Sequence, residues 1–256
     1  MQKIFAHRGA SAYAPENTLE AFELAAKMGA DGVELDVHLT KDGELVVAHD
    51  EELSRVSNGR GFIRDKTIAE LKQLRFNKTH PEYANATIPT LREVYELLKP
   101  TGLEVNTELK TSRIRYEHIE EKCVQLAVET GMTERVMYSC FNTASLLLIK
   151  HMDSSARVGL LRTPVGKLNN RKVKAIDPWN LAHLVGIDAI HPHFSELLLY
   201  READKAHAKG MQVNVWTVNS EDDIRKCLRA GADMLIGDYP DRMLRIRDEL
   251  TQDIRG

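Results

Sequence analysis

Hydrophobic and polar positions along this chain form a unit that recurs from one end to the other. The unit consists of an amphipathic segment with helical periodicity, a glycine that can end a helix in the left-handed conformation, and a short apolar segment. In the first copy the helical segment spans residues 21–27, Gly29 follows, and the apolar segment spans residues 32–39. The order of glycine and apolar segment recurs at Gly102, Gly131, Gly186, Gly210 and Gly231. The pattern predicts alternating helices and strands.

About eight of the apolar segments are predicted to be β-strands. They span residues 3–6, 32–39, 103–109, 135–139, 156–161, 187–190, 213–218 and 234–237. Strands that alternate with helices form parallel βαβ units. About eight such units favour an α/β fold of the (β/α)8 TIM barrel type, which typically takes ~250 residues as one domain. A doubly wound sheet is the alternative, but no GxGxxG or P-loop pattern follows the first strand.

Residues 50–89 interrupt this alternation. They contain the turn pair Asn58-Gly59, a predicted short helix at residues 68–74 and polar loop, but no barrel strand. The chain has no low-complexity segment and no linker. The sequence therefore predicts one domain over residues 1–256, with residues 50–89 as a small insertion after the second strand that caps the barrel mouth.

Three predicted helix starts have the spacing of a capping box. In this motif a polar N-cap residue is followed three positions later by a glutamate or glutamine. The pairs are Asn17 with Glu20, Thr67 with Glu70, and Thr90 with Glu93. Each pair predicts that a helix begins directly after its first residue.

Charge and composition narrow the choice of partners. The net charge is −3, from 35 Lys and Arg against 38 Asp and Glu, so the chain has no basic footprint for nucleic acid or for a membrane surface. No apolar run approaches the ~18 residues of a membrane span. Cys123, Cys140 and Cys227 have neither metal-site nor disulfide spacing. These features predict a soluble, cytoplasmic protein with reduced thiols that does not bind nucleic acid.

Charged residues at the predicted strand ends suggest phosphate-ester chemistry. Side chains two positions apart on a strand share a face, so Glu34 and Asp36 point the same way, as do Glu108 and Lys110. Carboxylates buried inside a barrel need a compensating charge. A divalent cation is the simplest compensation, and oxygen ligands favour Mg²⁺ or Ca²⁺. The alternative is that the three acids only pair with Arg8 and Lys110.

Several short motifs, in their order along the chain, resemble the glycerophosphodiester phosphodiesterase family. They are His7-Arg8-Gly9, Glu16-Asn17-Thr18, residues 29–36, residues 40–43, His49-Asp50, Glu108-Leu109-Lys110 and the segment around Trp216. The resemblance covers nearly the whole chain. It implies metal-dependent hydrolysis of glycerophosphodiesters to sn-glycerol 3-phosphate and an alcohol, with one divalent cation, Mg²⁺ or Ca²⁺, as the cofactor.

The resemblance also implies a role for each site residue. It places the metal on Glu34, Asp36 and Glu108, acid–base catalysis on His7 and His49, and substrate binding on Arg8, Glu16, Lys110, Trp216 and His191. Of two catalytic imidazoles, one can take a proton while the other gives one. The sequence leaves open which histidine is the base, and whether the substrate's own 2-hydroxyl or a water attacks.

Some assignments keep an alternative. His38 shares a face with Glu34 and Asp36 and is either a fourth ligand or, as we favour, a hydrogen-bonded wall residue. His193 shares a face with His191 near a strand end. The oligomeric state and the preferred head group are left open by the sequence.

Two other functions fit the same fold. One is a lysophospholipase D-type phosphodiesterase, which would need an apolar approach, whereas residues 50–89 are largely polar. The other is a non-catalytic barrel that binds phosphorylated ligands, although no histidine or metal carboxylate of the motifs is missing.

Overall fold

Eight parallel strands close into a barrel in the computed structural model, which describes residues 1–162, 182–183, 185–200 and 202–255. The strands are β1 (Lys3–His7), β2 (Gly32–Leu39), β3 (Leu45–Val47), β4 (Glu104–Leu109), β5 (Val136–Cys140), β6 (Arg157–Arg162), β7 (Ala189–Pro192), β8 (Gln212–Val215) and β9 (Met234–Gly237). β1 pairs with both β2 and β9, which closes the barrel. β3 is antiparallel to β2 and forms a hairpin outside the ring. The TIM-barrel prediction is confirmed, although β8 ends at Val215, three residues earlier than predicted.

Helices surround this barrel. Those within the described residues are α1 (Leu19–Lys27), α2 (Ile68–Leu71), α3 (Leu91–Leu98), α4 (Ile119–Thr130), α5 (Thr143–Met152), α6 (Phe194–Tyr200), α7 (Glu202–His207), α8 (Glu221–Arg229) and α9 (Pro240–Arg255). α3 shows why they pack there: Leu91, Val94, Tyr95 and Leu98 are all buried, at the i, i+3, i+4, i+7 spacing of one apolar face. No helix among the described residues is both long and apolar enough to span a bilayer.

The strand β2 shows how the barrel separates its core from its interior. All eight of its residues are buried. Val33, Leu35 and Val37 belong to the main apolar cluster between the strands and the helices. The alternate residues Glu34 and Asp36 point to the opposite face, because successive strand side chains alternate. The pleat therefore brings polar groups into the barrel interior.

Two of the three predicted capping boxes are confirmed. Thr67 with Glu70 begins α2, and Thr90 with Glu93 begins α3, each with both reciprocal hydrogen bonds. The Asn17–Glu20 prediction is wrong. Thr18 is the N-cap of α1 and accepts a hydrogen bond from Ala21 N, whereas Asn17 has a left-handed backbone with φ of 57° and turns its side chain inward.

The insertion over residues 50–89 packs with Val46 and Ala48 of the preceding segment around a small core. Val46, Ala48, Leu53, Val56, Ile63, Leu71, Phe76 and Ile88 form an apolar cluster separate from the main one. Its helix α2 ends at Leu71, earlier than the predicted residue 74, and a short 3₁₀ turn at Ile63–Asp65 precedes it. Tyr83 donates a hydrogen bond to the carbonyl of Tyr13 in the loop after β1. The capping role of the insertion stays a prediction.

All three cysteines are free and buried, as their spacing predicts no disulfide framework. The cytoplasmic location stays a prediction.

The turn after β1 depends on Gly9. Its φ is +80°, and a Cβ at this position would lie 2.6 Å from the carbonyl carbon of Ala21 on α1. We expect Gly9→Ala to lower the free energy of unfolding by at least about 2 kcal/mol, because a left-handed backbone costs an L-residue ~1–2 kcal/mol and overpacking adds ~1–3 kcal/mol. Urea unfolding measures the difference.

Gly29→Ala is the matched control for that substitution. Gly29 has a φ of +79°, and nothing lies within 4 Å of its added Cβ. This variant should show only the backbone cost of ~1–2 kcal/mol. Equal losses of stability in the two variants would mean that the contact with α1 does not constrain the turn.

Candidate active site

A cavity of about 150 Å³ opens at the carboxyl ends of the barrel strands. Active sites of TIM barrels lie at this end. The cavity is lined by His7, Arg8, Glu34, His49, Asn106, Glu108, Lys110, Ser139, Phe141, Leu161, Trp216, Thr217 and Ile236. Charged residues from β1, β2 and β4 form one side, and mainly apolar residues from β5, β6, β8 and β9 form the other.

Three buried carboxylates converge beside this cavity. Glu34 and Asp36 lie on β2 and Glu108 lies on β4, where Asp36 and Glu108 are partners in the strand register. One oxygen atom from each lies within 4.8 Å of the others. The structure therefore brings together the three residues predicted as metal ligands.

Lys110 and Arg8 offset the negative charge of this cluster, but not equally for its three carboxylates. Lys110 Nζ lies 2.8 Å from Glu108 Oε1 and 3.3 Å from Asp36 Oδ1, and Arg8 Nε lies 3.6 Å from Asp36 Oδ2. Although burial acts to raise it, the pKa of Asp36 is held well below its usual range by Lys110 and Arg8. Asp36 is therefore ionised at neutral pH.

Glu34 is compensated less, because only Arg8 acts to lower its pKa. Its carboxylate accepts the backbone N–H of Arg8 at 3.1 Å and lies 3.9 Å from His7 Nε2. Burial, reinforced by Asp36 and Glu108, raises the pKa of Glu34 well above its usual value. Burial likewise raises the pKa of Glu108 to about 7. If all three acids were ionised, they would carry more negative charge than Arg8 and Lys110 balance.

The donor set fits a hard divalent cation. Carboxylate oxygens are the ligands that Mg²⁺ and Ca²⁺ prefer. Asp36 Oδ1 is buried and lacks a hydrogen-bond partner among the described residues, although it lies near Lys110. An added positive charge would remove the surplus that keeps Glu34 protonated.

Each of the two predicted catalytic histidines is held by a carboxylate. His7 Nδ1 lies 2.6 Å from Asp238 Oδ1, and His49 Nδ1 lies 2.6 Å from Asp50 Oδ1. With Nδ1 engaged, each imidazole keeps Nε2 for a second partner. Burial lowers the pKa of His49, partly opposed by Asp36, so this ring is neutral near pH 7. Both rings line the same cavity as Glu34 and Glu108.

Asp238 is a site residue that the sequence analysis missed. It directly follows β9, and the pairing of Ala6 with Gly237 places it beside His7. The signal was present, because closure of a barrel makes the last strand a neighbour of the first. Asp238 also accepts hydrogen bonds from Ser11 and Asn219.

Three of the predicted substrate-binding residues reach the cavity. Arg8 and Lys110 present cations to it, and Trp216 forms part of its apolar side. Trp216 donates its indole N–H to the carbonyl of His191, and its ring meets Phe141 edge to face.

Glu16 and His191 do not line the cavity. Glu16 lies behind Arg8, and its Oε1 accepts a hydrogen bond from the Arg8 guanidinium at 2.8 Å. His191 is fully buried in the barrel interior, where Asn214 Nδ2 donates to its Nε2 at 3.0 Å and its ring fills the space beside Gly159. Burial lowers its pKa to about 3. His191 is therefore not part of the cavity wall.

His38 and Asn17 support the cluster from outside the cavity. His38 uses both ring nitrogens, at 3.0 Å from the Tyr116 hydroxyl and 3.2 Å from the carbonyl of His49. This arrangement matches the favoured reading of His38 as a hydrogen-bonded wall residue. Asn17 Nδ2 donates to Asp36 Oδ2 at 2.9 Å, a role not predicted for it.

Comparison with known proteins agrees with this geometry. Residues 7–242 match the glycerophosphoryl diester phosphodiesterase family. A glycerophosphodiester phosphodiesterase of Caldanaerobacter subterraneus subsp. tengcongensis is 37% identical over 244 residues, with 95% of this chain and 96% of the relative covered. A protein of the same name from Bacillus altitudinis is 38% identical over 255 residues, with 98% and 100% covered.

One solved structure is informative about ligands. A phosphodiesterase from Oleispira antarctica, determined in complex with the product sn-glycerol-3-phosphate, superposes with a TM-score of 0.82. It is 30% identical, and the match covers 96% of each chain.

Proposed function

The chain belongs to the glycerophosphoryl diester phosphodiesterase family and is a phosphoric diester hydrolase, and from that premise we propose its reaction and mechanism. The reaction is metal-dependent hydrolysis of a glycerophosphodiester to sn-glycerol 3-phosphate and an alcohol. The observation that carries the proposal is a cluster of three buried carboxylates beside one cavity, which is lined by two of them, Glu34 and Glu108, and by two carboxylate-held histidines. The relative that holds sn-glycerol-3-phosphate supports the same product here.

Glu34, Asp36 and Glu108 would hold the cation. When bound, a divalent cation supplies Lewis-acid chemistry, polarising phosphoryl oxygens and lowering the pKa of a coordinated hydroxyl. Arg8 and Lys110 add positive charge from the protein itself. They face the same cavity, so they orient the phosphodiester and stabilise the negative charge that grows on its oxygens.

His7 and His49 would move the protons. One ring takes the proton of the attacking hydroxyl, and the other gives a proton to the departing alkoxide. Asp238 and Asp50 fix the two rings through Nδ1, so that Nε2 is the atom that exchanges protons. The attacking hydroxyl is either the substrate's 2-hydroxyl, which forms a cyclic phosphate, or water. Both routes need one base and one acid.

Product identification tests the proposed reaction. Glycerophosphocholine incubated with the protein and Mg²⁺ or Ca²⁺ should yield sn-glycerol 3-phosphate and choline, which ³¹P NMR distinguishes from phosphocholine and glycerol. Lysophosphatidylcholine, offered in parallel, should react far more slowly, because the 150 Å³ cavity is about half the smallest volume of ordinary ligand pockets, ~300 Å³. Preferred cleavage of the lysophospholipid would support the lysophospholipase D alternative instead.

Asp238→Asn should lower kcat with little change in KM. The carboxylate holds the His7 ring, and the loss of such an orienting acid costs up to ~10⁴-fold in serine proteases. We expect a loss of at least ~10-fold for the same reason. Asp241→Asn is the matched control, because Asp241 accepts a hydrogen bond from the exposed Tyr13 and does not line the cavity. Equal kcat values in both variants would show that Asp238 does not position His7.

Arg55 offers a test of the proposed cap. It lies in the insertion and bridges Glu16, which holds Arg8, and Asp50, which holds His49. Arg55→Ala should lower kcat/KM for glycerophosphocholine by about tenfold, because catalysis is sensitive to misplacement of groups by ~1 Å. Steady-state kinetics measure the effect.

Arg64→Ala is the control for Arg55. Arg64 lies in the same insertion but is exposed, and it contacts Asp65 at 3.7 Å and the Phe62 ring at 5.6 Å rather than a residue of the cavity. Its replacement should leave kcat/KM unchanged. If both arginine variants keep the wild-type value, the insertion does not support the site.

A further inference from the structure

Two neutral polar side chains in the cavity wall each have one buried oxygen atom without a hydrogen-bond partner among the described residues. Asn106 on β4 and Ser139 on β5 are both about 99% or more buried, and both line the cavity. Asn106 Oδ1 and Ser139 Oγ make no hydrogen bond with any described residue. Buried polar atoms usually have a partner, so an unpaired pair that faces one cavity points to a group that enters it.

Their position in the strand register places them next to the charged cluster. Asn106 is the β-sheet partner of Glu34, and Ser139 is the partner of Glu108. Asn106 is also two residues before Glu108 on β4, so its side chain is one layer deeper on the same face. A substrate whose phosphate contacts Arg8 and Lys110 can therefore extend its remaining atoms towards Asn106 and Ser139.

The chemistry of the two atoms selects what can bind them. An amide oxygen only accepts hydrogen bonds, so Asn106 Oδ1 requires a donor from the ligand. An ionised phosphate has no donor, and a quaternary ammonium has none either. A hydroxyl group donates and accepts, and it can satisfy Asn106 Oδ1 and Ser139 Oγ together.

The apolar part of the cavity wall fits a short carbon chain. Phe141, Leu161, Trp216 and Ile236 line it with apolar surface. The volume of about 150 Å³ leaves space for a small polyol rather than for an acyl chain. Apolar walls with few placed polar groups are typical of small-molecule sites.

We propose that Asn106 and Ser139 form a hydroxyl-binding floor that recognises the terminal hydroxyl of the substrate's glyceryl group. This inference rests on the proposed function and adds the residues that determine its specificity. The glyceryl group lies deep in the cavity, and the head-group alcohol leaves towards the mouth. Selection then acts on the polyol, because a site built to bond a hydroxyl rejects an analogue that lacks it.

A comparison of two substrates tests the floor. One is glycerophosphocholine, whose choline carries no hydrogen-bond donor. The other is the phosphocholine ester of propane-1,2-diol, which keeps the hydroxyl next to the ester carbon and lacks the terminal one. We expect the wild-type protein to show a kcat/KM at least about tenfold lower for the second substrate.

Two variants test whether Asn106 and Ser139 cause the difference in kcat/KM between the two substrates. Ser139→Ala and Asn106→Ala should each lower kcat/KM for glycerophosphocholine by about tenfold. The kcat/KM for the propanediol ester should change by less than about threefold, because that substrate lacks the hydroxyl that the two residues bind. Thr130→Val is the control, because it removes a buried hydroxyl from α4, outside the barrel. The control should keep the wild-type ratio of the two substrates.

The outcomes separate this inference from the proposed function. Equal turnover of both substrates by the wild-type protein would overturn the hydroxyl-binding floor and leave the proposed function intact. Equal losses on both substrates in the variants would also overturn it, and would instead assign Asn106 and Ser139 to support of Glu34 and Glu108. Calorimetric titration with Mg²⁺ or Ca²⁺ checks that assignment, since a floor for hydroxyls leaves cation affinity unchanged. Turnover of neither substrate by the wild-type protein would contradict the proposed function and this inference together.

Discussion

Replacement of His7 or His49 by alanine should lower kcat by at least ~10²–10⁴-fold, the usual contribution of general acid–base catalysis. Each ring lines the cavity and is fixed through Nδ1 by its own carboxylate, so neither can take over the position of the other. Folding and cation binding should be largely preserved, because the three carboxylates remain. Steady-state kinetics with glycerophosphocholine, together with thermal unfolding, measure both expectations.

The pH dependence separates the two roles. The wild-type rate should follow a bell-shaped profile, and each alanine variant should lose one limb of it. A substrate with an activated leaving group should rescue the variant that lacks the acid and not the one that lacks the base. His207→Ala, which removes a surface histidine paired with Asp233, is the control and should keep both limbs. Near wild-type kcat in both single variants would exclude the two-histidine mechanism.

The sequence predicted the barrel well because its signals are local. Alternation along β2 and the glycine after each helix are properties of neighbouring residues, and they fixed the fold and the shared face of Glu34 and Asp36. The capping boxes at Thr67 and Thr90 were found for the same reason. At Asn17 the local rule failed, because a hydrogen bond to the buried Asp36 turns that side chain inward and leaves capping to Thr18.

Contacts between distant parts of the chain were harder to predict. Asp238 lies beside His7 only because the barrel closes between β9 and β1. His191 follows the expected strand pattern, but its depth in the barrel interior and its bond to Asn214 depend on the strand register, which single-sequence patterns do not give. Glu16 does not line the cavity as predicted, because it lies between Arg8 and Arg55 and forms an ion pair with each.

Removal of the cation should change stability as well as activity. In the metal-free protein the folded state keeps protons on Glu34 and Glu108, whose pKa values are raised mainly by burial, whereas the unfolded chain releases them above about pH 4.3. The free energy of unfolding should therefore fall as the pH rises from about 4.3 towards 7, the pH near which Glu108 ionises in the folded protein. A bound cation favours the ionised carboxylates, so the increase in Tm that Mg²⁺ or Ca²⁺ gives should grow over the same pH range.

The Glu34→Gln variant separates the effect of the cation on stability from its effect on activity. The amide has no charge to bury, so this variant should be more stable than the metal-free wild-type protein at about pH 8, and added cation should stabilise it little. Its turnover should be abolished, since it lacks one of the three proposed ligands. Glu23→Gln, on the exposed face of α1 next to Lys27, is the control and should behave as wild type in both respects. A stabilised yet fully active Glu34→Gln variant would show that Glu34 is not a ligand.

The site of three carboxylates and two histidines is tested most directly by titrating chelator-treated, metal-free protein with Mg²⁺ or Ca²⁺. Heat of binding and release of sn-glycerol 3-phosphate from glycerophosphocholine should be followed in the same samples. We expect no turnover before the cation is added, and then a rise in turnover that follows the binding of one ion per chain. Full turnover in the metal-free protein would contradict the proposed metal-dependent hydrolysis.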